Sequence, residues 1–495
     1  MELPALLGHG AELLRIIRKS SQPADLIASE FFRKKKYIGS TERKFISELV
    51  FSSLRIYLLS KKISDYALSD IELINKQEDG NSQSLIDEFP IIVTTCIIAT
   101  EFYKSKPFFQ PREIIERLLK KNQENFEEEL KTAFTIKLKV GLNDAKNFFD
   151  RVKTKFFEYD ISSREIINKN KPHTENEINT ISIRYSVPGW IISKWINNDI
   201  RKIFLNEACQ MAESLFYPAP LTVRVNLSKI SRDNVMKIFS DNNIACKKGE
   251  YSPSAVIFES RVQLNQFDVF KNGLIEVQDE GSQMISLALF PESGVKILDA
   301  CAGAGGKSLH LADLQNNHGE IYSNDIDNRK LRELKHRALR SGFDSIKIVK
   351  ISNQELVNEK LKKGFRLLFD IVLVDAPCSG TGTVRRTPML KWRLNPEQLE
   401  GHRRKQLKLL TYYSQFLRDG GVLIYSTCSL MYEENESVVN DFLTQNPQFE
   451  PFPLKSAYEK NGVIIRELKD NDYMLNLSPA KHGCDGFFIA KLKRK

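Results

Sequence analysis

From Leu6 to about Asp160 the apolar residues recur at helical spacing. Leu13, Leu14, Ile16 and Ile17 form one group, and Phe45, Ile46, Leu49, Val50 and Leu54 form another. Ser40-Thr41-Glu42-Arg43 reads as the helix start ahead of the second group. Asp87–Tyr103 and Pro111–Lys121 read as further helices, with Pro111 suited to a first turn. Gly80-Asn81-Ser82 reads as a loop before them. No strand alternation interrupts this third, so it predicts a helical bundle. Asn168–Asn179 is polar and reads as a linker. Leu221-Thr-Val-Arg-Val-Asn226 then alternates as a strand should, and a helix (Ser231–Asn242) and strands around Ala255–Phe258 and Gly273–Val277 follow. Arg224 and Asn226 share one side of the first strand, as either its solvent face or a nucleic-acid surface.

The pattern changes again near Val295. Short apolar runs that end in acids or cysteines alternate with helical stretches, as in a buried parallel sheet. The boundaries expected are 1–165 for the bundle, 166–180 for the linker, 181–273 for a small α/β unit and 274–495 for a larger α/β domain.

Charge narrows the partners. The 495 residues carry a net +10, which favours a polyanion, nucleic acid before a membrane surface. Phe31-Phe-Arg-Lys-Lys-Lys-Tyr37 mixes aromatics with cations, as a solvated face or a phosphate-contacting patch. The seven cysteines are scattered, odd in number and never form a C-x-x-C pair, which argues against a disulfide scaffold or zinc ribbon and for a reducing compartment. The first residues lack a secretory pattern, and no apolar run is long enough to span a membrane. A cytoplasmic protein, without metal and acting as a monomer, is the expectation.

Candidate chemistry gathers in four stretches. Val295–Ser308 is a strand, the turn Cys301-Ala302-Gly303-Ala304-Gly305-Gly306-Lys307, and a helix start. Glycines there let backbone N–H groups approach a ligand at the helix N-terminus. The turn nearly spells a phosphate-binding loop, but Cys301 replaces its first glycine. Asp299 just ahead suits a cationic or hydroxyl-bearing ligand better than a triphosphate. About twenty residues on, Asp325 ends the next strand, where a carboxylate accepts hydrogen bonds from ribose hydroxyls. A nucleoside cofactor follows, either S-adenosylmethionine (SAM) or NAD.

Asp370-Ile-Val-Leu-Val374 leads into Asp375-Ala-Pro-Cys-Ser-Gly-Thr-Gly382, which places a carboxylate and Cys378 at a strand's carboxyl edge. Gly421–Ser429 brings Cys428 to the same edge. NAD chemistry has no call for paired thiols, whereas methylating carbon 5 of a pyrimidine has. That carbon becomes nucleophilic once a thiolate adds to carbon 6, and a second thiol is explicable in undoing the adduct. Asp375 could hold a flipped base by its Watson–Crick edge. Residue type alone leaves open which thiol attacks.

On Asp299–Lys307, Asp325-Ile-Asp327, Asp375–Gly382 and Ser426-Thr-Cys-Ser429, in that order, the chain from about Tyr185 onward resembles the Sun/RsmB-type family of RNA cytosine-5 methyltransferases. The helical first third resembles the NusB-like RNA-binding bundle of the family's bacterial ribosomal-RNA branch. The resemblance implies a Rossmann-like, class I SAM-dependent methyltransferase domain preceded by a small α/β unit and an all-α bundle. It implies methyl transfer to a cytosine of RNA, 16S ribosomal RNA first and transfer RNA second; a non-catalytic assembly factor is the rival from another class. By position it makes Cys428 the nucleophile and Cys378 the residue that assists release. Cys301–Lys307 and Asp325 would cradle SAM, and Asp375 would border both SAM and base. Asn353 stands where many members carry an acid for the adenine amine, and its amide oxygen can still accept that bond. Ala304 replaces the usual proline of the turn. Arg385, Arg386 and Lys391, around Trp392, are expected to meet RNA phosphates, as are Arg224 and Asn226.

Overall fold

A computed structural model describes residues 1–71, 80–103, 126–168, 173–198, 200–289, 294–351 and 368–495. The helix expected at Pro111–Lys121 lies outside the described residues, as does Asn353. The chain forms two compact units: Met1–Pro218 with Val384–Arg393, and Ala219–Thr383 with Leu394–Lys495. Among the described residues no helix is long and apolar enough to cross a membrane.

The first unit is helical. It begins with α1 (Leu3–Lys19), α2 (Ala24–Lys34), α3 (Ser40–Arg55), α4 (Tyr57–Leu68) and α5 (Gly80–Phe102). Helices Phe126–Leu138, Leu142–Ile167, Glu175–Tyr185, Gly189–Ile196 and Leu205–Ser214 follow. α3 starts at the expected residue because Glu42 reaches back to accept the Gly39 N–H at 2.7 Å. Leu13, Leu14 and Ile17 are fully buried, while Ile16, one position off their stripe, is exposed. Two loop expectations need correcting. Gly80-Asn81-Ser82 is the first turn of α5. The polar linker is helical from Glu175, because Thr174 and Glu177 exchange capping bonds that a composition reading overlooks. In the Phe31–Tyr37 run Phe31 and Phe32 are buried, Tyr37 is exposed, and Lys35 pairs with Glu12 at 3.1 Å.

The segment Val384–Arg393 belongs to this helical unit. Its donors meet carbonyls at or just past helix C-termini, where no intrahelical partner exists. The Arg393 guanidinium donates to the carbonyls of Ser20, Gln22 and Ser21, at 2.7, 3.0 and 3.2 Å, beyond α1. Trp392 Nε1 donates to Leu54 O at 2.9 Å and Lys391 Nζ to Arg55 O at 2.6 Å, at the end of α3. Arg55 in turn donates to Arg385 O at 3.0 Å. Cations suit this negative end of the helix dipole. The expectation that Lys391 and Arg385 meet RNA is therefore corrected: both are buried, Lys391 at 1% exposure, and a phosphate has no path to either. Arg386 is exposed.

The second unit holds two sheets. β1 (Leu221–Val225), β2 (Cys246–Lys248), β3 (Ala255–Phe258) and β4 (Ile275–Val277) form an antiparallel sheet in the order β2-β3-β1-β4. The larger sheet contains β5 (Lys296–Asp299), β6 (Glu320–Ser323), β7 (Ile346–Ile348), β8 (Phe369–Asp375), β9 (Leu417–Thr427), β10 (Phe449–Pro451), β11 (Met474–Leu477) and β12 (Phe487–Arg494). Its order is β10-β12-β9-β8-β5-β6-β7, with β11 on β12. β5 through β9 run parallel, and β12 returns antiparallel against β9. Neighbours in sequence face opposite sides. Ile297 and Ile371 join a core with Leu309, Leu331 and Leu334, whereas Leu298 and Val372 join another with Leu410 and Val438. Burial on both faces is why these strands read as unbroken apolar runs. The order turns back between β5 and β8, so their carboxyl ends flank the crevice where such sheets bind ligands.

Arg224 and Asn226 also need correcting. Arg224 is fully buried, donating to Gln278 Oε1 at 3.0 Å and Asp313 Oδ2 at 3.3 Å. Asn226, equally buried, donates to Gly273 O. Helices Glu280–Leu287 and Gly306–Leu314 cover this side of β1, so the polar alternation marks an internal network rather than a nucleic-acid surface.

Candidate active site

The glycine turn joins β5 to helix Gly306–Leu314. Asp299 ends β5 fully buried. Its Oδ2 accepts the Ser308 hydroxyl at 2.7 Å, while Oδ1 has no hydrogen-bond partner among the described residues. Burial pushes this carboxyl up to about 6, against the Ser308 bond that lowers it. Gly305 adopts φ +84°, and a Cβ there would lie 2.0 Å from Leu334 Cδ1, so only glycine fits. Gly303, at φ +55°, has open space where its Cβ would be. Ala302 donates its N–H to Asn324 O and Gly303 donates to Asp325 Oδ2, both at 2.8 Å. Asp325 Oδ1 accepts the Asp327 N–H at 2.8 Å, so this carboxylate shapes the turn as well as facing its mouth. Burial pushes the half-buried Cys301 thiol well above its ordinary value, which leaves it a neutral wall. Open backbone at Gly303, a helix N-terminus at Gly306 and an acid at Asp325 fit an adenosyl cofactor with an amino-acid tail.

Lys307, the first cation of that helix, donates to Asp375 Oδ2 at 2.6 Å. Burial pushes its ammonium down, but the Asp375 carboxylate outweighs this and holds it above the ordinary lysine value. Asp375 Oδ1 accepts the Ser426 hydroxyl at 2.9 Å. The carboxylate therefore bridges the glycine turn to β9, three positions before Cys378, with its partner Ser426 two before Cys428.

Cys378 and Cys428 converge: their Sγ atoms are 3.3 Å apart, and both thiols are free. The bond to Cys428 first, and burial second, hold the Cys378 thiol well above its ordinary value. Cys378 thus keeps its proton at neutral pH and lies within hydrogen-bond reach of Cys428 Sγ.

Sequence reasoning missed what aligns the two cysteine loops. Glu434 is completely buried, and its Oε1 accepts the Ser379 N–H at 2.8 Å and Gln406 Nε2 at 3.0 Å. Its Oε2 accepts the hydroxyls of Ser379 and Ser429. One carboxylate thereby holds the residues directly after both thiols. Asn435 accepts from Thr427 Oγ1 at 2.6 Å and donates to Ser429 O at 2.9 Å, fixing the other side of Cys428. Gly382 donates to Cys428 O at 2.9 Å, and a Cβ on Gly382 would lie 2.0 Å from Gly486 O. The only signal in the sequence is the polar run Glu433-Glu434-Asn435 following Cys428.

The family model for the 16S rRNA methyltransferase RsmB/F matches residues 286–493, and that for the RsmF/B-like ferredoxin-like domain matches residues 188–265. Probable ribosomal RNA small subunit methyltransferase B of Bacillus subtilis (strain 168) is 31% identical over 328 residues, covering 65% of this chain and 69% of that protein. The crystal structure of a methyltransferase homolog protein from Pyrococcus horikoshii is 27% identical with a TM-score of 0.52, covering 65% of this chain and all of that one. NSun6 from Pyrococcus horikoshii with SFG shares the fold at 21% identity and a TM-score of 0.52, over 61% of this chain and 97% of its own.

Proposed function

The chain belongs to the RsmB/F family of 16S rRNA methyltransferases, and from that premise we propose that it methylates carbon 5 of a cytosine in 16S ribosomal RNA. The observation that carries this reading is the pair of free thiols 3.3 Å apart beside Asp375, at the mouth of the glycine turn. SAM, when bound, supplies an electrophilic methyl on a sulfonium. Gly303–Lys307 and Asp325 would hold that cofactor, and the buried Asp299 braces the turn through Ser308.

Cys428 Sγ adds to carbon 6 of the cytosine, which places electron density on carbon 5. Carbon 5 would then be the nucleophile for the methyl that the cofactor supplies. Asp375 accepts from the exocyclic amine of the flipped base while Lys307 donates to the same carboxylate. Loss of the carbon 5 proton to solvent water re-forms the ring double bond and expels Cys428 as thiolate, with the Cys378 thiol 3.3 Å away to donate toward the departing sulfur. Glu434 and Asn435 position the two thiols. The helical unit is assigned to RNA binding, and the protein to a cytoplasmic monomer, consistent with seven free cysteines.

Labelled-methyl transfer to deproteinised 16S ribosomal RNA tests the scheme. Cys428→Ala is expected to abolish transfer, and Cys378→Ala to accumulate an enzyme–RNA adduct that survives denaturing gel electrophoresis. Near-wild-type turnover by Cys428→Ala would falsify the assignment.

A further inference from the structure

Helix Asn328–Ser341 carries six cations against one acid, Glu333, in fourteen residues of a chain whose total excess is +10. Its stripe of Leu331, Leu334 and Ala338 is buried, and Arg329, Lys330, Arg332 and Lys335 are exposed. Beside it opens a cleft of about 810 Å³. Arg329, Arg332 and His336 line one wall, Phe270 and Val277 of the smaller sheet's side the other. Of these, Arg329, Arg332 and His336 are exposed.

The floor of this cleft is built. Glu276, at 2% exposure, accepts Arg337 Nη2 at 2.9 Å and Nε at 3.2 Å on one oxygen, and Arg340 on the other. The Arg340 guanidinium lies 4.6 Å from the Phe270 ring centre. Arg337 also donates to Ala304 O at 2.7 Å, tying the cleft to the cofactor turn. Glu276 thus offsets one of the two inner guanidinium charges and fixes both side chains as walls. The lining as a whole sets four arginines against Glu276 and the exposed Glu333, and Arg329 also shares its guanidinium with Asp327 at 3.1 Å, so the excess is positive but modest. An elongated cationic cleft with an aromatic wall suits a polyanion that carries planar groups.

We propose that this cleft holds the phosphodiester backbone of the RNA beside the target cytosine, with Arg329 and Arg332 as its phosphate contacts. The proposal rests on RNA being the substrate, and it adds a surface outside the thiol site.

The test uses the full chain and deproteinised 16S ribosomal RNA, with filter binding across a potassium chloride series and separate KM values for RNA and SAM. The double variant Arg329→Gln/Arg332→Gln is expected to weaken RNA binding about tenfold and to flatten the log Kd against log salt slope by about 1–2. Its kcat and its KM for SAM should match the wild type. A control, Arg466→Gln/Lys469→Gln, removes two exposed cations elsewhere on the same unit and should change nothing. Unaltered RNA binding by the first variant, or equal weakening by the control, overturns the proposal. A wild type that binds no RNA overturns both this proposal and the function it rests on.

Discussion

Two cation-rich stretches of this chain have opposite fates. Asn328–Ser341 lines an open cleft, whereas Val384–Arg393 is drawn into the helical unit, where Lys391, Trp392 and Arg393 meet carbonyls at helix ends. Charge density does not separate them. What does is the apolar spacing around the charges. A 3.6-residue stripe of Leu331, Leu334 and Ala338 anchors the first as a helix and leaves four of its six cations, Arg329, Lys330, Arg332 and Lys335, to solvent. The second has only a four-residue helix, Leu390–Arg393, so its long side chains reach for backbone instead.

Replacing residues in each stretch breaks or sharpens the contrast. Lys391→Ala should destabilise the helical unit by about 3–4 kcal/mol, since it empties a buried stem and strands the Arg55 carbonyl. Thermal unfolding measures this, and an unchanged Tm with weakened RNA binding would reverse the two roles. A buried charge in the catalytic unit offers a second case. The Asp299 carboxyl, at about 6, lies above its ordinary 3.8, so the native state keeps a proton that the unfolded chain has released. Its stabilisation is complete below about 3.8 and is lost as pH rises through about 6, a change of about 3 kcal/mol. Asp299→Asn should flatten that part of a Tm-against-pH curve. A slope that persists in the variant would assign it elsewhere.

Lys391 gives an effect of opposite sign. Burial, and then the Arg55 charge, hold its ammonium well below 10.5, so the native state binds fewer protons than the unfolded chain. Stability therefore rises with pH up to 10.5, and Lys391→Met should remove that rise while keeping the stem packed. The smallest change is expected at the cleft. Arg329→Gln/Arg332→Gln should leave unfolding within about 0.5 kcal/mol of wild type, as exposed substitutions do. A larger loss would make those arginines structural.

The parallel strands were legible because burial on both faces leaves a continuous apolar run, and Asp375, Cys378 and Cys428 sit at the ends of such runs. The glycine turn was legible because φ +84° at Gly305 and the Leu334 side chain against it exclude other residues. Glu434 was hidden, since its partners Ser379 and Gln406 lie 55 and 28 positions away and no local pattern announces a buried carboxylate. Arg224 misled for a related reason. Alternation in β1 reports polarity, and a polar face can be covered by helices when Asp313 and Gln278 wait to receive it.

The donation of Val384–Arg393 to a unit otherwise made of the first 218 residues also sets an order of events during synthesis. The carbonyls that end α1 and α3 wait for donors encoded far downstream. At roughly 5–20 residues per second, translation reaches Arg393 only some tens of seconds or less after Pro218. The helical unit therefore emerges first and is completed late, and the ribosome's pace, rather than local folding alone, times its final closure.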